Sequence, residues 1–252
     1  MKRHEAQVDI ATMPQELQPW IRDSVFQDSS CSEQARTYLV QGSERKAFLK
    51  ISARGSLEKE YVMMGFLHGH GMAPEAVAYV QDDQFDYFLS EAAEGEDGVS
   101  GGHRDDPDRL AEAFGRHLRM LHELPVTGCP YPERMAEMVR EAGDKHPEGL
   151  QEADNRLLAL LEQPSPRDSF VIIHGDYCLP NIIMEDYQFR AFFDLDYGGI
   201  GDRHWDLYWG LWTLGYNLKT DRYGDRFLDA YGRAEFDPRR LEACSRLAQL
   251  LG

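Results

Sequence analysis

Ser169-Phe170-Val171-Ile172-Ile173-His174-Gly175-Asp176-Tyr177-Cys178-Leu179-Pro180-Asn181-Ile182-Ile183-Met184, followed by Phe189-Arg190-Ala191-Phe192-Phe193-Asp194-Leu195-Asp196, sets a polar loop between short apolar strands. An aspartate sits on the loop, an asparagine follows five residues later, and a further aspartate ends the next strand thirteen residues on. Phosphoryl transfer from ATP needs those three groups. One carboxylate orients the acceptor hydroxyl and takes its proton, while an amide oxygen and a second carboxylate hold Mg²⁺ against the phosphates. The reading makes Asp176 the catalytic group and Asn181 and Asp194 the metal ligands, all supplied by one hairpin. An ordinary polar hairpin with turn residues is the alternative, and a lone Asp-Asn pair would not exclude it.

The order of these groups matches the His-x-Asp, Asn and strand-end Asp of kinase-like enzymes. The wording is more particular. His174-Gly175-Asp176-x-Cys178-Leu179-Pro180-Asn181-Ile182, then Phe193-Asp194-Leu195, Gly199-x-Gly201-Asp202-Arg203 and Asp206, resembles the aminoglycoside 3'-phosphotransferase family. The resemblance runs from Ser32 to Leu251 and implies an α+β, two-lobed protein-kinase-like fold. Its small antiparallel β lobe, residues 1–92, would bind nucleotide, and its larger, mostly helical lobe, residues 93–252, would carry catalysis and substrate. Gly175 stands where protein kinases have an arginine, and the segment from Asp194 to Asp206 is too short for an activation loop. Constitutive action on a small molecule follows from that.

The composition fits a soluble globular chain of 252 residues with 42% apolar and 28% charged residues. No run reaches the length of a membrane span, and the N-terminus lacks the apolar core of a signal peptide, so a cytoplasmic location without a membrane partner is expected. A net charge of −17 repels a phosphate backbone and attracts cations, which argues against nucleic acid and suits an amine-bearing substrate. Acidity for solubility alone is equally compatible with it. The four cysteines form no Cys-x-x-Cys pair and read as reduced thiols, mostly buried. A monomer or weak dimer is expected.

Along the chain, a short helix over residues 14–20 precedes a hairpin of Arg36–Val40 and Lys46–Ile51. The loop before that hairpin could fold over phosphates, and the resemblance gives Ser32 that contact. Lys50 alternates out of an apolar strand; a helix from Leu57 to Leu67 offers Glu60, with Glu58 as competitor, to orient it for the phosphates. A strand over 76–80 is followed by an edge-like strand from Asp86 to Ala92, where backbone groups of Ser90, Glu91 and Ala92 would read the adenine edge. The Gly- and acid-rich run from Glu94 to Gly102 marks the hinge.

Helices are expected over 107–124, 135–142, 153–161, from Asp202 through Trp212, and over 222–232 and 238–251. His122 reads as a packing histidine, and Asp206 as a structural residue that caps its helix or anchors the catalytic loop. Trp205, Tyr208, Trp209, Trp212 and Tyr216 share a helix face. An aromatic core stripe is one reading; the other sets Trp212 and Tyr216 in the substrate site, with Asp196 as an auxiliary or substrate contact. In the family both positions are charged, and the family's C-terminal acids are replaced here by Gln249 and Leu250. Three functions remain: a kinase of aminoglycosides using ATP (or GTP) and Mg²⁺, a kinase of another small alcohol such as choline, ethanolamine, a sugar or a different antibiotic, and a nucleotide-binding protein without turnover.

Overall fold

The computed structural model describes residues 4–30, 35–43, 45–162 and 170–252. Its contacts divide the chain into two compact units, Met1–Glu94 and Gly95–Gly252.

The first unit is built on strands β1 (His4–Ala6), β2 (Val25–Asp28), β3 (Ala35–Gln41), β4 (Lys46–Ala53), β5 (Ala76–Gln81) and β6 (Phe85–Glu91), with helices α1 (Gln18–Ile21) and α2 (Glu58–His68). The sheet is antiparallel in the order β1-β2-β3-β4-β6-β5. Period-two alternation along β4 decides what each face holds. Ala47 and Leu49 point into an apolar layer with Tyr38, Val40, Tyr87 and Leu89, closed by Leu17, Ile21 and Phe26. The N-terminal segment, to which the sequence assigned no role, is therefore the cover of this face. Lys50 points to the opposite face, which α2 covers with Glu60, Met63, Met64 and Leu67.

Two expectations change here. The strand ending at Glu91 is not at the edge: β6 pairs with both β4 and β5, and β5 forms the border. Its burial follows from that position, since five consecutive residues from Asp86 to Ser90 are inaccessible. β1 and β2 were not foreseen as strands.

The second unit contains β7 (Glu96–Asp97), β8 (Phe170–Ile173), β9 (Ile182–Glu185), β10 (Gln188–Phe192) and β11 (Gly199–Asp202). Its helices are α3 (Pro107–His122), α4 (Arg134–Lys145), α5 (Glu152–Leu158), α6 (Arg203–Leu218), α7 (Gly224–Tyr231) and α8 (Pro238–Leu251). Proline at the first turn and an aspartate cap start two of them: Asp106 accepts from Arg109 N–H before α3, and Asp237 from Arg239 N–H before α8. Gly115 lets α3 and α7 touch, since a Cβ there would lie 2.4 Å from the Phe227 carbonyl oxygen. The core gathers Met135, Met138, Leu158, Ile173, Trp205 and Leu247 from five different elements.

The expected single hairpin is in fact two small sheets. β9 pairs with β10 around a turn in which Asp186 and Tyr187 both take positive φ, while β8 pairs with β11. The register Gly199↔Ile173 brings the chain after Asp194 back beside His174 and Gly175. Among the described residues no helix is long and apolar enough to cross a membrane.

His117 on α3 is 6% exposed, and its Nδ1 has no hydrogen-bond partner among the described residues. Burial lowers its pKa from 6.5 to about 4, with Arg116 adding a little. The unfolded chain therefore takes up a proton that the folded chain refuses, so stability is full above the unfolded value and falls as pH drops towards the folded one. His117→Phe is expected to remove about 3 kcal/mol of acid destabilisation between about pH 6.5 and 4. Chemical denaturation at a series of pH values checks it, and an unchanged slope would show that His117 is not the titrating group.

Candidate active site

Asp206 lies in the first turns of α6, is fully buried, and accepts three hydrogen bonds. They come from the backbone N–H of His174 (2.7 Å), the backbone N–H of Gly175 (2.9 Å) and Nε2 of His122 (3.0 Å). A carboxylate only accepts, so Nε2 of His122 carries the proton and Nδ1 accepts from the Tyr231 hydroxyl at 2.8 Å. Burial lowers the pKa of His122 against the pull of Asp206, and burial raises that of Tyr231. The direction of this relay is thereby fixed. Of the two structural roles open to Asp206, anchoring the loop is the one observed; the cap of α6 is Asp202, which accepts from His204 N–H.

The loop after β8 is fastened on its other sides as well. Trp205 donates from Nε1 to the Gly175 carbonyl at 2.6 Å, and Tyr177 donates its hydroxyl to the Phe114 carbonyl at 2.6 Å while stacking on that ring. Gly175 has φ +91°, and a Cβ there would sit 2.2 Å from the carbonyl of Tyr197, so no other residue fits. From Val171 to Leu179 every residue is buried except Asp176.

The structure brings Asp176 and Asn181 together. Nδ2 of Asn181 donates to the Asp176 carboxylate (2.8 Å) and to its carbonyl (3.0 Å), which leaves the amide oxygen as the end of Asn181 outside those bonds. The Phe193 N–H donates to the Asn181 carbonyl at 2.9 Å, so the residue before Asp194 is tied to the same loop. Asp194 takes φ +59° and, like Asp196, is partly exposed, with buried Leu195 between them. Burial foremost, and the nearby Asp176 carboxylate, raise the pKa of the Cys178 thiol. Asn181 and Asp194 together offer an amide oxygen and a carboxylate, the donor set that suits magnesium arriving with phosphates.

In the first unit Lys50 Nζ lies 2.7 Å from Glu60, whose side chain is 5% exposed. Glu58 is exposed on the other side of α2. What aims α2 is Asp86, fully buried on β6, which the sequence reading passed over. It accepts from the N–H groups of Gly55 (2.9 Å) and Leu57 (2.9 Å), and from Tyr79 and Gln81. Burial pushes its pKa up, but those donors outweigh it and the net shift is downward. Its position two residues after Gln84, before an apolar run, was the available signal.

The remaining expected residues divide. Glu91 N–H donates to the Glu75 carbonyl and Ala92 N–H to the Lys46 carbonyl, both at 3.0 Å, so these two donors are already engaged, and Ser90 is paired with Phe48 and Ala76 inside the sheet. Ser32 lies outside the described residues. Trp205 belongs to the core, but Trp212 and Tyr216 are 46% and 59% exposed, stacked on each other at 5.1 Å, with Lys219 over the Tyr216 ring. The aromatic stripe is therefore core only at its N-terminal end. Leu250 is buried in the core and Gln249 is exposed.

An α+β chain with a lysine–glutamate pair in its sheet unit and an Asp-Asn-Asp loop in its helical unit has the kinase-like architecture of small-molecule phosphotransferases. The chain belongs to the phosphotransferase enzyme family, whose model matches residues 32–244. It is 32% identical over 249 residues to a probable aminoglycoside 3'-phosphotransferase of Lactococcus lactis subsp. lactis, covering 94% of this chain and 95% of that one. In fold it is similar to an aminoglycoside-3'-phosphotransferase of type VIII, with TM-score 0.74 and 24% identity over 93% of this chain and 96% of that one. It is likewise similar to a Streptomyces rimosus aminoglycoside phosphotransferase in complex with ADP and streptomycin, with TM-score 0.71 and 20% identity over 98% of this chain and 100% of that one.

Replacing Asp206 by Asn turns one acceptor oxygen into an amide donor that faces one or two of these three donors and leaves them unpaired. Asp206→Asn is expected to lower the unfolding free energy by about 3 kcal/mol. Urea denaturation measures it, and a loss under about 1 kcal/mol would mean that the loop is held by its other contacts.

Proposed function

We propose that this chain is an ATP-dependent O-phosphotransferase that moves the γ-phosphoryl group to a hydroxyl of an aminoglycoside. The observation that carries the reading is the loop from His174 to Asn181, in which a backbone held at several points leaves one carboxylate, Asp176, partly exposed beside Asn181. The names of its relatives supply the acceptor class. With ATP as donor in the cytoplasm, the reaction needs no group beyond those of the chain, the nucleotide and its magnesium.

Asp176 orients the hydroxyl and accepts its proton late in the transfer, when the oxygen has begun to bond phosphorus. The Asn181 amide keeps the carboxylate aimed by donating a hydrogen bond to it. The amide oxygen of Asn181 and the carboxylate of Asp194 are the groups that would hold magnesium, which when bound neutralises phosphate charge. Lys50, fixed by Glu60, presents its ammonium to the phosphates. Carbonyl oxygens of Glu91 and Ala92 accept from the adenine amine. Ser32 is assigned to the phosphates on the resemblance alone.

A second reading, a kinase of a smaller or more apolar amine-bearing alcohol, is favoured by one observation. Trp212 and Tyr216 are exposed and stacked, an aromatic ledge that attracts a desolvated cation by about 0.5–2 kcal/mol, where a carboxylate pair would bind several amines at once. Steady-state kinetics with kanamycin and neomycin separate the two: raised Michaelis constants support the ledge, and micromolar constants with fast turnover contradict it.

Asp176→Ala is expected to reduce turnover by about 10³-fold or more while ATP binding stays near that of the unmodified chain. Asp194→Ala is expected to abolish magnesium-dependent nucleotide binding, and Asp196→Ala to weaken it less. Calorimetric titration of nucleotide with and without Mg²⁺ reads both. Loss of ATP binding in Asp176→Ala would assign that residue to metal or structure instead.

A further inference from the structure

Arg134 opens α4 and is 4% exposed, and nothing in the reading above uses it. Its guanidinium donates from Nη2 to the Asp196 carbonyl at 2.7 Å, from Nε to the Gly198 carbonyl at 3.2 Å and from Nη1 to Glu137 at 3.0 Å. It lies 5.2 Å over the ring of Tyr131, whose own carbonyl accepts the Ile200 N–H at 2.8 Å. The two carbonyls bracket a single residue, Tyr197. On its other side the Tyr197 backbone meets Gly175, so close that a Cβ at Gly175 would lie 2.2 Å from the Tyr197 carbonyl. Tyr197 is thus wedged between a buried arginine and the residue that precedes Asp176.

Its side chain is 40% exposed. Burial of the phenol raises its pKa, with the charges of Glu141, Asp196 and, more weakly, Asp176 adding to that and Arg134 opposing it. A planar fork spreads donors over three nitrogens and so reaches Glu137 and the carbonyls on both flanks of one residue at once, where a lysine offers donors from a single point. Asp194 has separate support, through the Phe193 bond to Asn181 and the buried Leu195.

We propose that Arg134 is a positioning residue for the acceptor, acting through Tyr197: its guanidinium clamps the Tyr197 backbone against Gly175, so that the exposed phenol ring forms the wall beside Asp176 on which the acceptor rests. The proposal rests on the phosphotransferase reading, and it assigns Arg134 to acceptor binding and not to nucleotide or metal.

The test compares Arg134→Lys, Tyr197→Ala and the double variant with the unmodified chain, using kanamycin and MgATP. Each single change is expected to raise the Michaelis constant for kanamycin about tenfold, the loss of one hydrogen bond to a charged group or of its effect, while that for MgATP stays within about twofold. Because both act through one ring, the double variant is expected to be no worse than the poorer single one by more than about twofold. Additive penalties, or a rise confined to MgATP, would overturn the proposal, as would a Tyr197→Ala chain that binds kanamycin normally. Amide hydrogen exchange on Arg134→Lys decides the clamp without turnover: faster exchange at both Tyr197–Ile200 and Gly175–Asp176 supports it, and unchanged exchange at Gly175 contradicts it. A chain that leaves kanamycin untouched but shows that exchange would overturn the functional reading and keep the clamp.

Discussion

The helical unit depends on one buried carboxylate. Asp206 accepts two successive backbone N–H groups and an imidazole, and a carboxylate at zero exposure is tolerable only because those donors replace its water. Each such bond is worth about 1.5–3 kcal/mol. The loop they fix has little other regular structure: it leaves β8, passes through a glycine at positive φ, and returns as β9. Holding His174 and Gly175 from beneath, while Trp205 and Tyr177 hold the neighbouring groups, leaves Asp176 with a fixed backbone and a partly exposed carboxylate held by Asn181. Positioning of this kind is most of what phosphoryl transfer asks of a protein, since the reacting charge is already on the nucleotide.

The sheet unit solves a similar problem with the same device. Asp86 receives the N–H groups of Gly55 and Leu57, setting the turn between β4 and α2, and that turn sets Glu60 opposite Lys50. In both units a buried aspartate orders a turn, and the turn presents a functional side chain. Removing Lys50 would take the counterpart charge from the Glu60 carboxylate, whose side chain is only 5% exposed.

Much of this was legible in the sequence because the site is local. Asp176, Asn181 and Asp194 lie within one short stretch, and Leu49-Lys50-Ile51 shows its alternation directly. What was not legible depends on partners far away in the chain. Asp206 could be recognised as structural, but its two candidate roles differ only in which backbone it faces, and His122 joins it from 84 residues away. β8 finds β11 rather than the strand that follows the loop, a pairing no local pattern specifies. β6 read as an edge because its flank turns to glycine and acid, yet two neighbours bury it. Arg134 gave no signal, since a single arginine beside prolines and acids is ordinary surface chemistry until the carbonyls of Asp196 and Gly198 arrive. Trp212 and Tyr216 continue the helical period of Trp205, but the core ends before them.

These features form one account: fastened backbones present a lysine, an aspartate and a pair of oxygen donors, and the acceptor is chosen by what surrounds Asp176. Its central claim is that the γ-phosphoryl group ends on an acceptor oxygen and not on water. Phosphorus NMR of the chain with MgATP and kanamycin tests this directly. A new phosphomonoester resonance growing in step with ADP is expected, whereas inorganic phosphate growing in its place, or ATP left intact, would rule out transfer to kanamycin.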